Sequence, residues 1–309
     1  MSVSPELSVS VVIACYSLER LDSIEAALTS VRKQSLEPGR VVLAVDNHPA
    51  LAELVAQRFD WITVVSNTAG RGASATRNAG VEVVDTEFTA FLDDDETADP
   101  EWLRQLVAPF TDPAVVGTGG KYAPVWEGGK PAWFPDDFAW AIGGAYEGMP
   151  TTTSVVRNVW SGNMAVRTAA FRAVGGFRAD FGKQEAVSEP EDTDLCIRMA
   201  AAGGHWMYVP SAVILHEVPR SRASFSFFVG RCLSEGRGKA AMRDRLGSNS
   251  AIDTERDYVR RSAVRALRNI VSLEPRRTRQ GAAAITGLAY AGAGFTSVLL
   301  RRRAAKERS

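Results

Sequence analysis

The sequence predicts an α/β protein built on a doubly wound, mostly parallel sheet with helices on both faces. Short apolar, β-branched runs alternate with amphipathic stretches throughout the first third of the chain, and this alternation is typical of parallel sheets. The 309 residues suffice for one large α/β domain and an appendage, or for two small domains. A strongly basic C-terminal segment predicts that the appendage is a helical extension.

Each element of the alternation follows from its residue pattern. Apolar β-branched runs predict buried strands, and the segments between them repeat apolar residues at helical spacing. The predicted strands cover residues 9–14, 41–45, 62–65 and 88–92, and the helices cover 21–34, 51–59 and 73–83. Ligands of such sheets bind at the carboxyl ends of the strands, where the polar residues are Tyr16, Asp46, Asn67, Asp93, Asp94 and Asp95.

The middle of the chain breaks this pattern. Residues 117–160 are rich in Gly, Pro and Trp and predict an irregular, aromatic binding-loop region. Regular structure is expected again over 162–176, in a helix over 192–202, and in two short strands over 205–209 and 212–215.

Composition excludes several protein classes. An apolar fraction of 45% excludes a disordered chain. The only cysteines are Cys15, Cys196 and Cys232, too few for a disulfide scaffold and suited to a reducing compartment. The first eight residues lack a signal-peptide pattern, so we expect a cytoplasmic location.

Charge divides the chain. Residues 1–219 carry 16 Lys and Arg against 29 Asp and Glu, and residues 220–309 carry 20 against 7. We therefore expect an acidic domain over 1–220. The basic extension over 221–309 is expected to meet an anionic surface.

Two segments of the extension indicate a membrane rather than nucleic acid. Residues 255–273 form a basic amphipathic pattern that suits the headgroup region at the cytoplasmic face. Residues 281–300 hold no charge, and an uncharged stretch has no use in nucleic-acid binding. The same residues are long enough to cross a bilayer. Their Gly and Ala content favours an interfacial or re-entrant hairpin over a span. The alternative is that both helices pack on the domain over 1–220 or on a second subunit.

Three consecutive carboxylates, Asp93, Asp94 and Asp95, follow the apolar run FTAFL. Adjacent carboxylates repel one another unless a cation neutralises them, and Mg²⁺ or Mn²⁺ takes oxygen ligands and bridges to a diphosphate. An isolated acidic triplet is usually a solvated turn. Its position at the end of a strand in an α/β alternation favours a metal site.

Two further features of this edge suit a nucleotide. Asp46 ends the second strand, where a carboxylate can accept hydrogen bonds from a ribose or base, although Asp also commonly opens a turn. Residues 67–80 are Gly-rich and basic before a helix, which suits an anion at the helix N-terminus. They match neither the Walker nor the GxGxxG pattern.

A second acidic segment, EPEDTD at 189–194, opens an otherwise apolar helix. Helix capping explains acidic residues in a first turn, but these exceed what capping needs, and one can serve as a general base towards a hydroxyl. His216 follows VPSAVIL and is either a metal or phosphate ligand or a buried structural histidine.

Six segments resemble, in order and spacing, the landmarks of glycosyltransferase family 2 over roughly residues 8–217. Each is weakly specific alone. They are the first strand and helix, NTAGRGASATRNAG, FLDDDE, GNMAVRTAAFRAVGGF, EDTDLCIRMAAAG and PSAVILH. The resemblance implies the GT-A fold, a nucleotide-diphosphate sugar donor, a divalent cation and inversion of the anomeric centre. It makes 1–220 the catalytic domain, with a nucleotide-sugar half at about 8–120 and an acceptor half at about 121–220.

The resemblance also assigns roles to individual residues. Asp192, paired with Glu191, matches the catalytic base, and Asp93 and Asp95 match the outer carboxylates of the DxD motif, with Asp95 as the main metal ligand. DNHP after the second strand departs from the DDGS-like turn of many members, which leaves base and sugar specificity open. Nucleotide or donor contacts are expected from Ala14, Tyr16, Asp46, Arg71, Arg77, Asp93, Asp94, Gly162 and Asn163.

A further stretch, 228–240, resembles the RxxxEGxxKA segment of membrane-associated members that build lipid-linked or surface glycans. This implies acceptor or phosphate contacts by Arg231, Arg237 and Lys239, and by Glu191 in the catalytic pair. A solvated basic helix start is the alternative for 228–240.

The sequence thus predicts transfer of a sugar from a nucleotide-diphosphate sugar, a UDP-sugar by default, to a hydroxyl of a glycan or lipid-linked acceptor. A cation at Asp95, with His216 as a further candidate ligand, would neutralise the diphosphate, and Asp192 would take the acceptor proton in a single displacement. One alternative is a metal-dependent nucleotidyltransferase or nucleotide-sugar phosphohydrolase. Another is a non-catalytic glycan- or nucleotide-binding protein.

Overall fold

A computed structural model describes residues 8–68, 70–178, 183–184, 187–188, 191–246 and 252–306. The chain groups into two compact units. The first comprises Met1–Ala123, Pro150–Gly182 and Glu191–His216. The second comprises Pro124–Met149, Lys183–Pro190 and Glu217–Ser309, so a segment that we assigned to the catalytic domain groups with the C-terminal helices.

Most strands join one sheet. The two-residue strands β9 and β10 pair with each other. The other described strands form one nine-stranded sheet. The strands are β1 (Val9–Cys15), β2 (Arg40–Asp46), β3 (Thr63–Asn67), β4 (Phe88–Asp93), β5 (Glu96–Ala98), β6 (Val115–Trp126), β7 (Ser154–Val156), β8 (Asn163–Arg167), β9 (Lys183–Gln184), β10 (Val187–Ser188) and β11 (His205–Val218).

Helices alternate with these strands and then dominate the C-terminal part. The α-helices are α1 (Leu21–Arg32), α2 (Pro49–Arg58), α3 (Ala73–Glu82), α4 (Trp102–Val107), α5 (Thr168–Ala173), α6 (Glu191–Ala201), α7 (Phe225–Leu246), α8 (Ile252–Val271) and α9 (Pro275–Lys306). Short 3₁₀ turns cover Leu18–Arg20, Ala108–Thr111, Asp136–Ile142 and Arg220–Ala223.

The sheet order brings the predicted polar residues to one edge. Strands β3, β2, β1 and β4 are parallel neighbours in that order, and the order continues β8, β6, β11, β5, with β7 paired to β11. Ala14 lies opposite Asp93, and Asp46 lies opposite Asn67. Since parallel strands end at a common edge, the carboxyl ends of β1, β2 and β4 face the same region.

Both faces of the sheet are covered, as the doubly wound prediction requires. Alternate residues of a strand point to opposite faces, so Ile13 of β1 packs in one apolar cluster with α1, α2 and α4, and Val12 packs in a second cluster with α3, α5 and α6. Both side chains are fully buried. The predicted α/β class is confirmed.

The structure corrects two predicted elements. The glycine-rich start of the expected irregular region is the long strand β6, and the two short strands expected over 205–215 are the single strand β11. β6 tolerates its glycines because bulky neighbours fill the space beside them: a Cβ on Gly117 would lie 2.2 Å from the ring of Trp206.

The second unit has its own aromatic core. Phe134, Phe138 and Phe228 are fully buried, and Phe228 contacts each of the other two edge to face. Tyr258 of α8 donates to the carbonyl of Asp137 at 2.7 Å and accepts from Trp140 Nε1 at 2.7 Å. These contacts anchor α8 on the 124–149 segment.

The predicted helices of the extension are present, with different bounds. Helix α9 is continuous, so no re-entrant hairpin interrupts it. By length and composition, its segment Pro275–Arg301 is the one described helix able to cross a membrane.

Candidate active site

The acidic end of β4 forms the centre of the site. The turn Asp94–Asp95 separates β4 from β5, and the backbone N–H of Asp93 donates to Oε2 of Glu96 at 3.0 Å. Asp94 and Glu96 are buried, whereas Asp93 and Asp95 are partly exposed. Burial raises the pKa of Asp94 to about 7 and raises the pKa of Glu96 well above its usual value.

Three of the side chains here form a group that fits a divalent cation. The ligand atoms of Asp95, Glu96 and His216 lie within 4.8 Å of one another. His216 of β11 faces Glu96 directly in the antiparallel pairing of β11 with β5. Two carboxylates and an imidazole suit Mn²⁺, and carboxylates suit Mg²⁺. Sequence reasoning identified Asp95 and His216 but missed Glu96, although it completes the acidic run DDDE.

Arg77 connects the two acidic segments. Its guanidinium is buried, pairs with the carboxylate of Asp93, and lies 3.8 Å from Oε1 of Glu191 on α6. It also lies 5.6 Å from the ring centre of Phe177. The resemblance implied a nucleotide contact for Arg77; in the structure its Nη2 is committed to Asp93.

Arg20 is a functional neighbour that sequence reasoning missed. Its Nη1 pairs with Asp94, and its Nη2 donates to Oδ2 of Asp95 at 2.6 Å. The same guanidinium lies 5.2 Å from the ring centre of Tyr16, whose side chain is 58% exposed and open to a ligand. Because Arg20 and Asp95 are 75 positions apart, no local pattern indicated this pair.

Asp192 lies in the first turn of α6. Its Oδ1 accepts from the backbone N–H of Thr193 at 2.6 Å and from the Thr193 hydroxyl at 3.3 Å. Burial, together with the negative charge of Glu191, raises the pKa of Asp192 to about 7. A carboxylate with this pKa is matched to proton abstraction near neutral pH.

Asp194, two residues further on, has a structural role. Its buried carboxylate accepts from Nε of Arg198 at 2.7 Å and from Arg178 at 3.3 Å. Within the acidic segment, Asp194 is therefore committed to ion pairs, and Asp192 remains the candidate base. Glu189, a second candidate base, lies outside the described residues.

Asp46 organises the loop before α3. Its Oδ2 accepts from the backbone N–H of Gly72 at 2.8 Å, and its Oδ1 accepts from the Asn47 side chain at 2.9 Å. Gly72 has φ of +106°, which favours glycine, and precedes the first residue of α3. Arg71 beside it is exposed.

Gly162 and Asn163 differ in their surroundings. A Cβ on Gly162 would lie 2.6 Å from Oδ2 of Asp93, so Gly162 borders the acidic cluster. Asn163 is fully buried, accepts from Trp102 Nε1 at 2.8 Å and donates to the carbonyls of Lys121 and Ala212 at 3.2 and 3.4 Å. These bonds commit its side chain to the protein interior rather than to a donor sugar.

The three basic residues of the RxxxEGxxKA-like stretch lie on α7, in the second unit. Arg231, Arg237 and Lys239 are partly exposed, and Lys239 lies 3.8 Å from Glu235.

Comparison with known proteins identifies the family. The model of "Glycosyl transferase family 2" matches residues 10–175. The glucosyl-dolichyl phosphate glucuronosyltransferase of Haloferax volcanii is 31% identical over 242 residues, which cover 76% of this chain and 77% of that protein. The pre-mycofactocin glycosyltransferase of Mycobacterium tuberculosis is 32% identical over 157 residues, covering 50% of this chain and 32% of that protein.

Two solved structures share the fold. The mannosyltransferase PcManGT from Pyrobaculum calidifontis, in complex with GDP-Man and Mn²⁺, superposes with a TM-score of 0.58 at 17% identity, covering 93% of this chain and 89% of that one. GalNAc-T7 with UDP, GalNAc and Mn²⁺ gives 0.53 at 18% identity, covering 68% and 43%. With the family match spanning more than half of the chain, this protein belongs to glycosyl transferase family 2 and has the GT-A fold.

Proposed function

We propose that this glycosyltransferase is an inverting, divalent-metal-dependent enzyme acting on a nucleotide-diphosphate sugar. The observation that carries the proposal is the bridge made by Arg77 between Asp93, at the end of β4, and Glu191, beside Asp192 on α6. Through it, the acidic cluster suited to a cation and the carboxylate suited to a base belong to one site. A metal-assisted single displacement uses both.

Asp95, Glu96 and His216 would hold the cation, Mg²⁺ or Mn²⁺, with Asp93 alongside. When bound, the ion supplies positive charge that neutralises the leaving diphosphate. Arg20 and Arg77 already hold the neighbouring carboxylates in place through ion pairs. The two structural neighbours were both solved with Mn²⁺, which favours a divalent cation in this enzyme.

Asp192 would act as the general base. Its Oδ1 is held by the Thr193 backbone and hydroxyl, so the carboxylate is oriented before an acceptor arrives. In its ionised form it takes the proton of the attacking hydroxyl as the glycosidic bond forms. One displacement without a covalent intermediate inverts the anomeric centre, and Glu191 would lie near the acceptor.

The donor would bind at the carboxyl ends of β1 and β2. The base and ribose would lie beside Ala14. They would contact the exposed ring of Tyr16 and the carboxylate oxygens of Asp46. The exposed Arg71 would contact the phosphates, and Gly162 would border the donor sugar. We take a UDP-sugar as the default donor.

A lipid-linked acceptor is favoured over a soluble glycan. The relative that matches this chain along most of its length is named for glucosyl-dolichyl phosphate as its substrate. An enzyme that uses such an acceptor works at a membrane surface, which agrees with the basic C-terminal helices. We therefore propose a peripheral location at the cytoplasmic face.

The decisive experiment measures thermal shifts of the full chain across a panel of nucleotide sugars with Mn²⁺, followed by transfer assays with the stabilising donor. We expect Mn²⁺-dependent stabilisation by a nucleotide-diphosphate sugar and release of intact nucleoside diphosphate. Release of pyrophosphate would instead support a nucleotidyltransferase. Turnover that persists in excess chelator would contradict metal dependence.

A further inference from the structure

Helix α8 carries its apolar face outward. Its packed face carries Tyr258 and two small buried residues: Ser262 and Ala266 are 2% and 1% exposed. Val264, Leu267 and Val271, spaced as one helical stripe, are 44%, 57% and 73% exposed. A helix of a water-soluble protein normally shows the reverse arrangement, so this stripe calls for an apolar partner.

Arginines surround this stripe. Arg260, Arg261 and Arg268 are exposed on α8 and form no ion pair with any residue that the structure describes. Residues 256–279 hold eight arginines against two acidic residues, a net charge of +6. Exposed leucine and valine flanked by such arginines fit the headgroup region of an anionic membrane, where apolar side chains insert and guanidinium groups meet phosphates.

Helix α9 is engaged differently, although it is long and apolar enough to span. A Cβ on Gly236 of α7 would lie 1.9 Å from the carbonyl oxygen of Ala291, and one on Gly294 of α9 would lie 2.2 Å from that of Leu233. The backbones of α7 and α9 are therefore in contact along the uncharged segment of α9.

This packing argues against a transmembrane α9. The stretch of α7 in contact with α9 carries Arg231, Glu235, Arg237 and Lys239. A bilayer centred on 281–300 would enclose these charges together with α9, and charged groups in the hydrocarbon are costly. Gly287 and Gly294, two of the glycines that weaken α9 as a membrane span, are the residues that allow its contact with α7.

We propose that the outward face of α8, formed by Val264, Leu267 and Val271 with Arg260, Arg261 and Arg268, docks on an anionic membrane, and that α9 stays packed against α7 rather than spanning the bilayer. The inference deepens the proposed function, because it names the surface that would bring the enzyme to a lipid-linked acceptor. It makes the enzyme peripheral, with α8 as the contact.

The test is sedimentation of the full chain with vesicles of phosphatidylcholine containing about one third phosphatidylglycerol. We expect binding that weakens with salt and is absent on pure phosphatidylcholine. The double variant Leu267→Glu/Val271→Glu should bind at least about tenfold more weakly, because two apolar insertions are lost. The double variant Arg260→Glu/Arg268→Glu should bind anionic vesicles about fivefold or more weakly for each arginine replaced.

Val155→Glu is the matched control, since Val155 is a 64% exposed valine on β7 in the first unit, and its binding should equal that of wild type. Carbonate washing of cell membranes should release the full chain. Retention after the wash would mean that α9 spans and would overturn the proposal. So would unchanged vesicle binding by the α8 double variant.

Donor turnover separates this inference from the proposed function. The α8 variants should retain the wild-type rate of Mn²⁺-dependent donor hydrolysis, which also shows that they fold. A wild-type chain that binds vesicles but turns over no donor would refute the proposed function alone. A wild-type chain that turns over donor but does not bind anionic vesicles would refute the membrane contact alone.

Discussion

Gly162 lies so close to Asp93 that a Cβ on the glycine would be 2.6 Å from Oδ2 of the carboxylate. The same Cβ would lie 2.9 Å from Oε1 of Glu96. We expect Gly162→Ala to displace these carboxylates, to weaken Mn²⁺ binding and transfer, and to cost about 1–3 kcal/mol of stability. Calorimetric titration with Mn²⁺ and denaturant unfolding measure both effects.

Gly230→Ala is the control for this variant. Gly230 lies within α7, and a Cβ added to it would meet no described atom within 4 Å. Alanine there should raise stability by up to about 1 kcal/mol, because alanine is the better helix former, and should leave Mn²⁺ affinity unchanged. Equal effects of the two substitutions would show that the space beside Gly162 is not critical.

Asp192→Asn should lower kcat by about 10²–10⁴ while donor affinity changes little, since the proposed base serves the acceptor. Steady-state kinetics with saturating acceptor and donor titration measure the two quantities. Asp194→Ala, two positions away, should instead cost about 3–5 kcal/mol of stability by stripping Arg198 of its buried partner. If kcat were unchanged in Asp192→Asn, the base would be Glu191 rather than Asp192.

The pH profile tests the same residue independently. A general base must be ionised, and the pKa of Asp192 is raised to about 7. Below this value, kcat/KM for the acceptor, which reports the free enzyme, should rise about tenfold per pH unit, and above it kcat/KM should level off. In Asp192→Asn this rising limb should disappear. A wild-type kcat/KM that is flat between pH 5 and about 8 would contradict the assignment.

Asp95→Asn should remove a charged ligand and abolish transfer without unfolding the protein, because Asp95 is partly exposed. Electron paramagnetic resonance of Mn²⁺ measures the loss of binding directly, and the melting temperature shows that the fold persists. Excess chelator should reproduce the loss in wild type, and added Mn²⁺ should restore it. Undiminished Mn²⁺ affinity in Asp95→Asn would place the cation elsewhere.

The alternation of strands and helices up to Asp93 was predictable because it depends on local periodicity. β1 and β2 are continuous apolar runs, and α1 has a clear apolar face. β6 was missed because its glycines indicate a loop, and only neighbours distant in sequence explain them. Strand β11 was divided in two at Pro210, which it accommodates in mid-strand.

The site was predictable where a motif is contiguous. Asp93, Asp95 and Asp192 stand in recognisable acidic runs. Arg20 and the buried role of Asn163 depend on contacts across 75 and 61 positions, and no pattern in a single sequence encodes such pairings. The outward apolar face of α8 follows from the same principle, because its periodicity identifies an apolar face without saying what covers it.

The close fit of β6 against its neighbours makes residue sizes interdependent. The ring of Trp206 fills the space beside Gly117, and the side chain of Val159 fills the space beside Gly119. A side chain can be gained at either position only when the opposing one shrinks. Enzymes descended from a common ancestor with this one should therefore exchange bulk in pairs, a small residue at 206 permitting a larger one at 117, with the total volume held constant.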